Sequence, residues 1–448
     1  MTLNLQKHIN QIKKGGLTII IKKLKTTFYL LIQSPLYLFS IPLLIIIYLL
    51  RPWLLIRWYG LPCSRIGHFA VQAEFYMCRR DAKLNQPTQK YIDIFFLGNK
   101  YICNKHLAKM IKRSLTIFPA FLMIPLFNVN RFFNFFIKGV NQHEIDIRGS
   151  EDRDIDNVAQ KFNPHISFNE EEKLKGKKIL SEFGLPESAK FVCLIVRDSA
   201  YLDRYKNQTL RDFSYQNYRD GDIDRYVLAA EELANRGYYV FRMGVKVHKP
   251  LKSANPKIID YANSKIRSDF MDIYLGANCT FCISTSCGFD AIPLVFKKPV
   301  AFIYMPFGNM QTQGKNDLII TKHHINKKDK NKLTISEIFE SNVALSFYSE
   351  EYQKNNIELQ ENTPEEIKEL VTEMDVRISG DWKETEEDLQ LQKKFWYIFA
   401  NNVQKLTIRE PDNAFLKILA PMYVVAYDIK NKSKFSASFL RNNQDWIK

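Results

Sequence analysis

The sequence predicts an α/β protein of more than one domain, and three observations carry that reading. Two long stretches alternate apolar, strand-like runs with amphipathic helical ones. Between Cys279 and Val300 an apolar run, a small polar turn, a short helical run and a second apolar run follow one another as in a βαβ unit. The chain has 448 residues, 46% of them hydrophobic, which is room for two or three packed cores.

Charge narrows the partners. Lys and Arg number 64 against 48 Asp and Glu, a net charge of +16, and such an excess favours anionic partners. Residues 1–27 hold Lys7, Lys13, Lys14, Lys22, Lys23 and Lys25 and no acid. They precede a hydrophobic segment, so they suit a membrane surface with anionic lipids better than a nucleic-acid groove. No zinc-finger spacing, basic heptad region or RNA-binding signature is present, which argues against nucleic acid. Seven widely spread cysteines do not read as a disulfide framework, which favours a reducing compartment. Cys279 and Cys282 fall on opposite faces of a strand, and His323 and His324 point apart in extended chain. No metal site is expected from either pair.

Taken in order, residues 28–58 read as a membrane-associated segment. The run 36–50 is almost continuously apolar, and Arg51, Trp53, Arg57 and Trp58 follow as an interfacial girdle. Gln33-Ser34-Pro35 and Pro42 interrupt it, leaving two readings: one transmembrane helix, or a kinked helix re-entering the same face. A cleaved signal peptide is disfavoured, because no small-residue cleavage site follows. Residues 60–168 begin an α/β series, with a helix over 69–80 after Gly67-His68, a strand over 91–97 and a helix over 104–114. Residues 115–138 are rich in phenylalanine and bordered by cations; a core helix pair and a basic-aromatic membrane surface are equally good readings. The charged stretch 141–168 reads as an irregular segment.

The second series spans 169–377. Asn169 caps a helix that ends at Gly184. A buried strand over 191–196 runs into Arg197-Asp198. A helix over 223–236 leads to a strand over 238–241, then to Arg242, Gly244 and Lys246. A short strand over 258–261 and a helix over 269–277 precede the Cys279–Val300 stretch. There the strand 279–283 meets the turn Ser284-Thr285-Ser286-Cys287-Gly288 and a helix containing Asp290 and Pro293. Thr363-Pro364-Glu365-Glu366 is a capping box opening a helix to about residue 377. Residues 378–448 contain one more helix, over about 384–406, and then irregular packing with a basic tail.

In an open parallel sheet, ligands bind outside the carboxyl ends of the strands. Successive strand ends here carry Arg197, Arg242 with Lys246, and the 284–288 turn, whose following helix would offer free N–H groups to an anion. That combination points to a phosphorylated ligand. Helix capping by the serines is the plainer use of the turn.

The wording is also specific. I-V-R-D-S-A-Y-L-D at 195–203, D-I-D-R-Y-V-L-A-A-E-E-L-A-N-R-G-Y at 222–238, F-R-M-G-V-K-V at 241–247, M-D-I-Y-L-G-A at 271–277 and C-I-S-T-S-C-G-F-D-A-I-P at 282–293 resemble a family of bacterial surface-polysaccharide glycosyltransferases. T-P-E-E-I at 363–367 and R-I-G-H at 65–68 resemble it too, so the likeness covers roughly 60–400. Cys287 departs from a position that more often holds a small hydroxyl residue. The resemblance implies a GT-B-like pair of Rossmann-type domains facing a cleft: an acceptor-side domain over 60–168 and a nucleotide-sugar-binding domain over 169–377. It implies a metal-independent transfer from a nucleotide sugar to a lipid-linked or glycan acceptor, with no cofactor, at the cytoplasmic side of the bacterial inner membrane. Carried over by position, Arg197, Arg242 and Lys246 would neutralise the diphosphate. Ser284, Thr285, Ser286, Gly244 and Gly288 would touch it, and Asp290 would accept from a sugar or ribose hydroxyl. His68 is the first candidate for the base and Asp198 the second. The alternatives are a non-catalytic membrane-bound module that binds nucleotide sugar or polysaccharide, and a sugar-nucleotide epimerase on the same fold.

Overall fold

The computed structural model describes residues 34–147, 153, 154, 156, 158–203, 212–310, 314, 316–417, 420 and 433–448. The basic segment 1–27, part of the charged stretch after residue 147 and residues 421–432 lie outside them. The chain divides into two compact units. One draws on residues up to 62, 86–100 and 115–146, the other on 63–85, 101–114 and 147–448.

The first unit contains a two-stranded parallel sheet, β1 (Leu55–Leu61) with β2 (Tyr91–Leu97), in the register Leu55↔Tyr91 to Leu61↔Leu97. A Rossmann-type domain was expected over 60–168. The two helices read there, observed as Ile66–Asp81 and Lys105–Ser114, belong instead to the second unit. Among the described residues, what remains is one strand pair packed with a helix over residues 34–50 and the helix Ala120–Phe133. Fully buried Trp58 centres this packing with Leu44, Ile47, Phe96, Met123 and Leu126. His143 stacks on Trp58 with ring centroids 5.4 Å apart, and its Nδ1 lies 2.6 Å from the Ile56 carbonyl. Burial pushes the His143 pKa down. Among the described residues, no helix is long and apolar enough to cross a membrane. Residues 28–33, where the spanning reading began, lie outside those residues.

The second unit is built on seven parallel strands in the order β11-β8-β7-β6-β3-β4-β5. These are β3 (Phe191–Ile195), β4 (Tyr239–Arg242), β5 (Ile258–Ile259), β6 (Cys282–Ser284), β7 (Val300–Phe302), β8 (Leu318–Ile319) and β11 (Lys434–Phe435). β9 (His323–Asn326) and β10 (Ile357–Gln360) form a separate antiparallel pair. The chain starts at β3, winds out through β4 and β5, then returns to the other side of β3 with β6, β7 and β8. Strand order therefore reverses between β3 and β6. β3 reads Phe-Val-Cys-Leu-Ile and is buried along its whole length, as a central parallel strand covered on both faces must be.

The caps follow the sequence. Asn169 with Glu172, and Thr363 with Glu366, form capping boxes, Pro364 opens its helix, and Gly184 takes φ +80 beyond the first of them. Two elements differ. The ladder of β6 begins only at Cys282, because Cys279 caps the helix Asp269–Asn278. The C-terminal stretch read as irregular supplies β11 and the helix Ala437–Asn442. A two-residue strand shows no period, and it is held from outside: the Phe435 N–H donates to Gln392 Oε1 at 3.2 Å.

Candidate functional site

The carboxyl ends of β3, β4, β6 and β7 open onto one cavity of about 560 Å³, formed wholly within the second unit. It lies at the reversal of strand order, where doubly wound sheets bind ligands. Arg197, Asp198, Gly244, Lys246, Ser286, Gly288, Asp290 and His68 all line it. Arg242, Ser284 and Thr285 do not.

Arg197 leaves the end of β3 and is held from several sides. Its N–H donates to Thr285 Oγ1 at 2.7 Å, its carbonyl accepts from Gly221, and Nη1 pairs with Asp220. The residue is 7% exposed, and its Nη2 is buried without a hydrogen-bond partner. Arg219, from the 3-10 turn Ser214–Arg219, lines the same cavity. It donates to the Ser286 carbonyl at 3.2 Å and to Gln216 Oε1 at 2.9 Å, while its Nε is buried and unpartnered. Burial first, and the charge of Arg219 second, push the Arg197 pKa down to about 10. Two guanidinium groups close enough to repel, each with an unsatisfied buried N–H, form a site that an anion would relax. Arg65 and Arg153 add to this wall, Arg65 over the Phe213 ring at 5.0 Å and Arg153 over Phe415 at 5.0 Å.

The turn after β6 approaches the start of helix Ile66–Asp81 through two glycines. A Cβ on Gly67 would meet Gly288 Cα at 3.0 Å and Gly288 O at 3.2 Å, so the two backbones touch. Ser286 occupies the left-handed region at φ +55. Gly244 at φ +153 also has no room for a side chain, since a Cβ would lie 2.7 Å from Val247 Cγ1.

Several expectations need correcting. Arg242 is almost fully buried, donates to the Lys249 carbonyl at 3.2 Å and pairs with Asp260 at 3.5 Å and Asp198 at 4.0 Å. It ties the end of β4 to the following loop rather than facing a ligand, and burial lowers its pKa. Ser284 and Thr285 are fully buried. Ser284 Oγ donates to Asp290 Oδ2 at 2.9 Å and Thr285 accepts from Arg197, so both brace the turn from behind. Asp290, which lines the cavity, thereby spends one oxygen on Ser284. Asp198 accepts the Ala200 and His248 N–H groups at 3.0 Å each, one on either oxygen, which suits a cap better than a base. The helix after the turn is only Ala291–Val295, following a 3-10 turn, and too short to present an N-terminal anion site. Pro293 inside it and left-handed Lys297 just after it limit its length.

Sequence reasoning missed Arg65, Arg153 and Arg219. Arg65 stands in the quoted R-I-G-H and was within reach. Arg219 sits on a 3-10 turn away from any strand end and carries no sequence signal. A second polar cluster joins Glu74, Cys78 and His165, whose ligand-type atoms lie within 4.8 Å of one another. Hydrogen bonds to Cys78 and Glu74 raise the His165 pKa to about 10. Lys297 stands 3.5 Å from Glu74, and Asp81 faces the other ring nitrogen at 3.0 Å, so the charges balance within the cluster.

No family model matches the chain, and no curated protein matches it. Among solved structures, the glycosyl transferase family 9 protein from Veillonella parvula DSM 2008 aligns over 58% of this chain and 82% of its own, at 11% identity and a TM-score of 0.34. The E. coli ADP-heptose lps heptosyltransferase II aligns over 56% and 85%, at 14% identity and a TM-score of 0.33. Likenesses at these scores carry no argument for fold or activity.

Proposed function

We propose that the cavity holds the diphosphate of a nucleotide sugar and that the protein is a glycosyltransferase. The observation that carries this reading is the Arg197–Arg219 pair at the β3–β6 reversal, one guanidinium buried and the other half-buried, each with a buried nitrogen that lacks a hydrogen-bond partner. The motif resemblance supports the transferase class. On this reading the arginines and Lys246 neutralise the nucleoside diphosphate as it leaves, so that neither metal nor cofactor is required. Gly67 and Gly288 let the turn after β6 pack against the start of helix Ile66–Asp81, which shapes the wall of the cavity. The glycosidic bond to the departing phosphate breaks as the acceptor oxygen bonds the anomeric carbon. His68, which faces the same cavity, takes the acceptor proton. The acceptor is lipid-linked or glycan, and the setting is surface-polysaccharide assembly at the cytoplasmic face of the bacterial inner membrane.

The test is a titration of nucleoside diphosphates and nucleotide sugars against the full chain, in excess chelator and with added magnesium. Saturable binding undiminished by chelator is expected. Binding that required a divalent ion would remove the metal-independent assignment. A donor that binds but is never transferred or hydrolysed on any lipid-linked acceptor would favour the non-catalytic module.

A further inference from the structure

We infer that the first unit rests in the interface of an anionic lipid bilayer, without spanning it, through an apolar face built by the 34–50 helix and the helix Ala120–Phe133 with the turn that follows. The inference goes beyond the donor-site reading and is independent of it.

The 34–50 helix contains no charged residue. Ser40, Leu44 and Ile47, spaced i, i+4, i+7, are buried, and Leu44 and Ile47 pack with Met123 and Leu126. The opposite stripe, Leu38, Ile45 and Leu49, is equally apolar and exposed. A helix that is apolar all round requires apolar cover on both sides, and the described residues supply only one. The second helix repeats the arrangement. Met123, Leu126 and Asn130 turn inward, while Phe121, Leu122 and Phe132 face out. The chain beyond it continues the face with Phe135, 83% exposed, and Phe136, 73% exposed. Hydrogen bonds from Tyr48 to Asn130 at 2.9 Å and between Asn128 and Tyr37 at 3.0 Å hold the two helices together. The 34–50 helix is therefore committed to the protein along one side, which fits insertion in the plane of the interface rather than a free span. An exposed apolar area shared by two packed helices exceeds what scattered surface residues explain.

Charge selects the occupant. From Met1 to Ala73 the sequence contains no acidic residue, and six lysines precede the helix. Arg51 and exposed Trp53 follow its end, and Lys138 follows the phenylalanines. Arg131 lies over the Phe127 ring at 4.1 Å. Apolar side chains bordered by cations and an indole match an acyl layer beneath anionic headgroups.

The experiment is flotation of the full chain with phosphatidylcholine vesicles, with and without phosphatidylglycerol. Wild-type protein is expected to float with both, more strongly with the anionic lipid and less so in high salt. The double variant Phe135→Glu/Phe136→Glu and, separately, Leu49→Glu should each lower the partition coefficient about tenfold or more. Their melting temperatures should stay unchanged, and if one variant misfolds the other carries the test. Three outcomes would overturn the inference: no flotation of the wild type, binding unaltered in both folded variants, or binding to anionic vesicles alone, which would assign it all to the lysine tail. A lipid-indifferent dimer that Phe135→Glu/Phe136→Glu converts to a monomer would show instead that the face joins two copies of the chain.

Discussion

Gly67 and Gly288 touch backbone to backbone: a Cβ on the first would stand 3.0 Å from the Cα of the second. This contact brings the start of helix Ile66–Asp81 against the turn that closes the cavity after β6. The partner atoms are main chain, so nothing flexible can yield. Gly67→Ala should therefore cost about 1–3 kcal/mol through overpacking. It should weaken nucleotide affinity as well, because Arg65 and His68 shift with it. Denaturant midpoints and nucleotide titration on the same variant check both effects.

Arg219→Ala should leave the fold intact, since it relieves a like-charge neighbour of Arg197. A charge-assisted phosphate contact is worth roughly 1.5–3 kcal/mol, so affinity for nucleoside diphosphates should fall about tenfold to a hundredfold. Arg219→Lys should recover only part, lacking the planar fork. Calorimetry on the two variants decides the matter, and unchanged affinity in both would remove Arg219 from the anion site.

Arg242→Ala should do the reverse. Removing a nearly fully buried guanidinium leaves Asp260 and Asp198 uncompensated, a loss on the order of 3 kcal/mol. Nucleotide affinity measured below the lowered transition should hardly change, because Arg242 does not line the cavity. A normally stable variant that had lost its ligand would return this residue to the site.

Acid should unfold the second unit partly through Glu366. Burial works against its charge, but hydrogen bonding from His323 and the Thr363 N–H outweighs that and brings its pKa from 4.5 down to about 2. A carboxyl with a depressed folded pKa contributes stability that is full above the unfolded value and is lost as pH falls from about 4.5 through 2. Glu366→Gln should flatten the pH dependence of stability across that window while lowering stability at neutral pH. Urea midpoints measured from pH 7 to 3 test this.

Local chemistry decided how much of this was legible in advance. Capping boxes at Asn169 and Thr363, the wholly apolar β3 and the β2 strand at 91–97 are set by residues within a few positions of one another, and each appears where the sequence places it. Arg197 stands at the end of β3 by the same local logic, and it lines the cavity.

Strand ends with equal sequence claims met different fates. Arg197 and Arg242 both follow buried strands, yet one lines the cavity and the other is consumed by Asp260, a carboxylate 18 positions away that no local pattern links to it. Arg219 reaches the site from a 3-10 turn, and the seventh strand is recruited by the amide of Gln392. The sequence by itself determined the parallel α/β class, the apolar N-terminal helix and the β3 arginine, because periodicity and capping act over one or two turns of chain. Only the tertiary structure decided which strand-end cations line the cavity, which unit each helix joins and where backbone meets backbone at Gly67 and Gly288. Those depend on long-range pairing, where burying a charge is tolerated only beside a partner that the chain delivers from elsewhere.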